Sequence, residues 1–188
     1  AVENAAPTDI SEGNVLKLRT TIEETTGGAG TDIKFKLQYS EFSDFSVGVF
    51  DVVSSTTCAQ TATTTAQLWC YADGAGTDNG IIDSAVLSDA DSCTGGAGTG
   101  CGTHNEGTST TTATYDQPGL STTEYEFTLQ HDGARANAVY FFRLFDLTNA
   151  TTVAASTSNP SLQAEGAQLV FATIGLPAGT STEGIVTD

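Results

Sequence analysis

The 188-residue chain has no methionine, one tryptophan, two histidines, and only six basic residues against 23 acidic ones. Each shortage excludes something. A formal net charge of -17 repels phosphate backbones and anionic lipid, so nucleic acid and acidic membranes are poor partners. No run of about 18 apolar residues occurs, so no segment reads as a membrane span. Two histidines and no G-x-S-x-G elbow leave little for a nucleophile and its base. We therefore expect no enzyme and no cofactor. Apolar residues nowhere recur at i, i+3, i+4 and i+7 over three turns, so no helix is expected. The chain lacks Met and starts at Ala1-Val2-Glu3. That reads as the remainder of signal-peptide cleavage at a small residue, and so as an exported, extracellular or cell-surface protein.

What is present is alternation. Leu16, Leu18, Thr20 and Ile22 share one face of a segment whose other face carries Lys17, Arg19, Thr21 and Glu23. Ile33, Phe35, Leu37 and Tyr39 alternate with Lys34, Lys36 and Gln38. Both are strand patterns. Phe45 to Val53 reads as a less regular strand, and the short segment 67–72 holds the single Trp69. The densest aromatic stretch is Thr123 to Leu147. There Tyr125, Phe127 and Leu129 alternate with Glu124, Glu126 and Thr128. Val139 to Phe145 then runs apolar on both faces apart from Arg143. The intervening HDGARAN is turn chemistry, so the stretch reads as a central β-hairpin. A final strand is expected at Gln168 to Leu176.

Seven to nine strands among Gly- and Thr-rich turns indicate an all-β fold: a single β-sandwich, Ig-like or jelly-roll. Residues 1–13 read as an extended N-terminal arm and 14–188 as the sandwich, with a loop-rich insertion at about 73–122.

Cys58, Cys70, Cys93 and Cys101 allow three pairings. Cys58–Cys70 and Cys93–Cys101 are favoured because each closes a short loop, at about 2–3 kcal/mol of stabilisation apiece. Four free thiols are the alternative. Cys93, Cys101 and His104 do not have zinc spacing. Asp73, Asp78, Asp89 and Asp91 are weak calcium candidates, without the ligand spacing of an EF-hand loop; solvated turn aspartates explain them more simply. Both His104 and His131 are expected on exposed loops. Arg143 needs a partner on an apolar strand, and Glu124 or Glu126 across the hairpin would supply it. Lys17, Arg19, Lys34 and Lys36 form either a solvated basic stripe or a docking surface. Trp69, Tyr71 and Tyr115 are candidate sugar platforms. Asn149-Ala150-Thr151 is a glycosylation sequon.

Several stretches, in order, carry a resemblance: AAPTDISEGNVLKLRTTIEET (5–25), FKLQY (35–39), LWCYADG (68–74), THNEG (103–107), EYEFTLQ (124–130), YFFRLFD (140–146) and NPSLQAEGAQLVF (159–171). Together they resemble the Ig-like repeats and subunits of large secreted cell-surface proteins of uncultured bacterial lineages. The resemblance spans roughly residues 5–175. Its motifs are strand cores and turns, so it implies fold and location and no catalytic residues. The expectation is a structural subunit of a filament, pilus-like fibre or surface layer, with copies of itself as partners and a terminal arm as candidate donor strand. The alternative is an adhesin or carbohydrate-binding module that meets glycans or other surface proteins through the 73–122 loops.

Overall fold

The computed structural model describes residues 5–55, 68–74, 76–93, 100–153 and 159–166. The strands among them are β1 (Leu16–Glu23), β2 (Gly30–Ile33), β3 (Phe35–Ser40), β4 (Phe50–Asp51), β5 (Trp69–Tyr71), β6 (Cys101–Asn105), β7 (Tyr115–Gln117), β8 (Thr122–His131), β9 (Val139–Asp146), β10 (Thr151–Thr152) and β11 (Ser161–Gln163).

Two sheets form around two long strands. In the first, β8 pairs antiparallel with β1 along one edge. Its other edge takes β6, parallel, and then β5, antiparallel. In the second, β9 lies between β3 on one side and β10 and β11 on the other, and β4 adds beyond β3. Strands β2 and β7 make a separate ribbon.

The inner faces meet as alternation requires. Leu18, Trp69, Tyr71, Tyr125, Phe127 and Leu129 come from the first sheet. Phe35, Leu37, Tyr39, Tyr140, Phe142, Leu144 and Leu162 come from the second. All are buried in one cluster. Trp69 meets Phe142 edge-on at 5.1 Å between ring centroids, and Phe35 meets Tyr125 at 5.2 Å. This is a β-sandwich, held by aromatic contact between its layers. One corner is stitched by backbone. Val53, just after β4, bridges Cys70 of β5, with Tyr71 N–H donating to the Val53 carbonyl at 2.9 Å.

The expected hairpin at 123–147 is not a hairpin. Strands β8 and β9 belong to different sheets and face each other across the core. The reason is physical. Each strand has a complete aromatic inner face, and two such faces bury more area stacked than side by side. The connection between them crosses the sandwich, with Gly133 and Asn137 at positive φ. Strand β9 is central in its sheet, but its outer residues Phe141, Arg143 and Phe145 are only half-buried. Strand β8 departs the other way: Glu124, Glu126 and Thr128 are buried too.

Other differences are local. The expected 33–39 strand is divided at Lys34: Ile33 ends β2, and Phe35 begins β3 in another sheet. The region 73–122 is no mere insertion, because β6 within it is buried throughout and pairs with β8. Its expected strand at Ile81 to Leu87 reduces to a bridge from Ile81 to Thr103. The expected strand at Gln168 to Leu176 lies outside the described residues.

Phe142→Ala removes a fully buried ring at the meeting of the layers. We expect a loss of about 3–5 kcal/mol, read from the midpoint of a denaturant titration at unchanged slope.

Candidate functional site

The outer face of the first sheet carries a buried charge cluster. The β1–β8 register sets Arg19 opposite Glu126, and Lys17 and Thr21 opposite Thr128 and Glu124. Lys17 Nζ therefore reaches Glu126 Oε1 at 2.6 Å, and Arg19 Nη1 reaches Glu124 Oε1 at 2.6 Å. The other Arg19 nitrogen, Nη2, meets Glu126 Oε2. Glu124 is fully buried, and its Oε2 accepts the backbone N–H groups of Val86 and Leu87, each at 2.7 Å. From β6, His104 Nδ1 lies 3.2 Å from Glu126 Oε1, while Nε2 lies 3.7 Å from Glu106 Oε1. Glu106 Oε2 accepts Gly74 N–H at 2.9 Å.

Burial pushes the Glu126 carboxyl up. Hydrogen bonds from Lys17 and His104, with the charges of Arg19 and Lys17, outweigh it and hold the group below its ordinary range. Glycines let the covering chain approach. A Cβ at Gly76 would fall on the His104 ring, and one at Gly102 on the Glu124 carbonyl oxygen.

The cluster accordingly fastens Gly74 and the covering segment 76–92 onto the sheet. Ser109 lies nearby but donates its hydroxyl to Asp78, so it does not join His104 as a nucleophile. Asp78 also accepts Glu106 N–H at 3.0 Å, Asp89 accepts the Thr21 hydroxyl at 3.0 Å, and Asp91 accepts Thr122 N–H at 2.9 Å. Asp73 is exposed. The four calcium candidates thus act separately: Asp78 and Asp91 accept backbone N–H groups and Asp89 a side-chain hydroxyl. Among the described residues no three His, Cys, Asp or Glu side chains are arranged to hold a metal ion.

The expected ion pair of Arg143 with Glu124 or Glu126 is overturned. These residues sit in different sheets, so the strand-to-strand reach it assumed does not exist. Arg143 instead donates from Nε to Gln38 Oε1 at 3.1 Å and lies over the Phe45 ring at 4.4 Å. The basic stripe dissolves for the same reason. Lys17 and Arg19 serve the cluster, while Lys36 in the other sheet pairs with Asp51 at 2.7 Å. Both histidines are buried, contrary to expectation. Trp69 and Tyr71 are core residues at 0% exposure, so neither is a surface platform. Tyr115 is half-buried in the ribbon.

Cys93 and Cys101 are disulfide-bonded, with Cα atoms 5.0 Å apart, which anchors the covering segment to the start of β6. Cys70 is also disulfide-bonded; its expected partner Cys58 lies outside the described residues. Asn149 is exposed in the β9–β10 turn, its side-chain amide donating to Asp146 at 2.7 Å.

A second site lies at the other end of the sandwich. The described part of the arm, from residue 5, does not stand free. Gln163 N–H donates to the Pro7 carbonyl at 3.1 Å, Ile10 N–H to Gln163 at 3.1 Å, and Glu165 N–H to Ile10 at 2.9 Å. The arm thereby extends the second sheet beside β11, in parallel, with Ile10 bridging Ala164. Ile10 is buried in the core cluster. His131 Nε2 donates to the Ile10 carbonyl at 2.7 Å, and its ring rests on Trp69 at 5.3 Å. The i, i+2 spacing of His104 and Glu106, and matching charge alternation in β1 and β8, were the sequence signals for the first site. Nothing in the sequence marked the arm's berth.

The chain matches no protein-family model, no curated protein and no solved structure.

Arg19→Met strips both buried carboxylates of their shared cation. We expect about 3 kcal/mol of destabilisation, since breaking a buried pair leaves an uncompensated charge, measured by thermal or urea unfolding. Glu24 offers a pH test. Hydrogen bonds from Thr26, Leu120 and Gly27 hold its carboxyl down from 4.5 to about 2. A depressed folded-state value means that its contribution is full above the ordinary value and is lost as pH falls toward about 2. Glu24→Gln should therefore lower the melting temperature at neutral pH, and the difference from wild type should vanish across that acid range.

Proposed function

We propose that the chain is a structural subunit of an extracellular filament, pilus-like fibre or surface layer, joined to its neighbours by exchange of the N-terminal arm. One observation carries this reading: Pro7 to Ile10 are held as an added strand by three backbone hydrogen bonds and one buried side chain. Backbone bonds of this kind are indifferent to which copy supplies the strand. The same arm reaching into the next molecule makes a head-to-tail contact, and head-to-tail contacts that do not close propagate. The connection from arm to β1 is short and polar, and it turns at Gly13, where φ is 76°; it serves as the hinge. Disulfide-bonded cysteines favour an oxidising, extracellular setting.

The alternative is an adhesin or carbohydrate-binding module that uses the 73–122 loops. An exposed aromatic row at Trp69 and Tyr71 would have favoured it, and both residues are fully buried.

The double variant Ile10→Cys with Ala164→Cys tests the exchange, because these residues are bridge partners. Oxidation followed by non-reducing electrophoresis should give a ladder of covalent multimers, with fibres or sheets visible by negative-stain microscopy. Monomer bands alone, from an intramolecular bond, would refute arm exchange.

A further inference from the structure

Strand β1 has one edge on β8 and one edge on nothing among the described residues. Which of its backbone groups are left over follows from β8. Thr128 carbonyl accepts Ala72 N–H, Glu124 N–H donates to Gly100, and Thr122 carbonyl accepts Asp91 N–H. All three point away from β1. Their cross-strand partners Lys17, Thr21 and Glu23 are therefore in non-hydrogen-bonded pairs and direct their own N–H and C=O outward. Arg19 follows by alternation. Glu24 confirms the phase, since its N–H donates inward to Ser121. Four consecutive outward residues thus leave four donors and four acceptors unpaired among the described residues. The strand keeps an unbroken register with β8, with no bulge or proline to blunt the edge. Such an edge is a template for another strand.

We propose that a second copy of β1 pairs antiparallel along this edge, about a two-fold axis through Thr20. The choice of occupant comes from the strand's own complementarity. A centre at Thr20 sets Lys17 opposite Glu23 of the second copy, and Arg19 opposite its Thr21, each twice. All four outward residues on each strand then find hydrogen-bonded partners. On the inner face Leu18 meets Ile22 twice and Thr20 meets itself, which extends the core past the half-buried Leu16 and Ile22. Moving the centre to Arg19 sets two guanidinium groups against each other. Moving it to Thr21 carries Lys17 past the end of the partner strand. Opposite charges and apolar pairs in direct cross-strand register favour only the first arrangement. The contact is isologous, so it closes as a pair and is distinct from arm exchange. It rests on the subunit reading only in naming a second copy as the partner.

Two variants test it. Thr21→Pro removes an N–H that the β1–β8 ladder does not use, so the fold tolerates it as edge strands tolerate proline. Sedimentation velocity should show a concentration-dependent dimer for the wild type and a monomer for Thr21→Pro, which still folds, with a melting temperature lowered only by the loss of the exposed Thr21–Asp89 hydrogen bond. Thr20→Cys places two thiols across a non-hydrogen-bonded pair at the axis. It should cross-link to a covalent dimer under mild oxidation, while Leu18→Cys and Ile22→Cys, which lie off the axis, should not cross-link to themselves. A wild type that stays monomeric at all concentrations, or a Thr20→Cys protein that fails to cross-link, would overturn the pairing. A Thr20→Cys dimer from a protein that gives no multimer ladder through Ile10 and Ala164 would keep the edge pairing and remove the filament reading.

Discussion

Strand β8 must bury both of its faces, and the rest of the first sheet is arranged around that demand. Its inner face is aromatic and needs only the second sheet. Its outer face carries Glu124 and Glu126, which burial would penalise severely if they were left alone. The charges are answered from three directions. Arg19 and Lys17 arrive from β1, His104 from β6, and two backbone N–H groups from the covering segment. Each answer also performs a structural task. The cations align β1 with β8, the histidine aligns β6, and the amides tie down a covering segment in which Ile82 is the one large apolar side chain that is buried.

The same demand explains how the covering segment is held. Segment 76–92 buries few large side chains; Val86 is 66% exposed. Hydrogen bonds from Val86 and Leu87 to Glu124, those accepted by Asp78, Asp89 and Asp91, and the Cys93–Cys101 bond hold it instead. Polar attachment leaves the segment's outer surface unconstrained by packing. Glycine is needed where the covering chain passes closest, at Gly76 over His104, and within the sheet at Gly102 of β6 against the β8 backbone.

At the sandwich margins the balance differs. The second sheet is completed by the arm beside β11, with His131 joining the arm to Trp69 and so to the core. Among the described residues the first sheet ends at β1, whose outer edge takes no strand. One margin is closed by the docked arm, and the other has no partner strand among the described residues. That asymmetry underlies the reading of the molecule as one unit among several.

The strand content and the two aromatic inner faces were legible in the sequence, because alternation over β1, β3 and β8 reports directly which residues leave water. The local Cys93–Cys101 bond was legible for a similar reason, since short loops limit the choices. Pairing between strands was not legible. Alternation says which face is buried but not what lies beside the strand, and so β8 and β9 read as one hairpin and Arg143 was assigned to carboxylates in the other sheet. The histidines were misplaced because a loop-like composition hides burial that comes from being covered by another segment. The sequence by itself determined an acidic, all-β chain with a defined set of core residues. Only the tertiary structure decided which charges meet, because a buried carboxylate takes the cation that register and sheet order bring to it, whatever their separation along the chain.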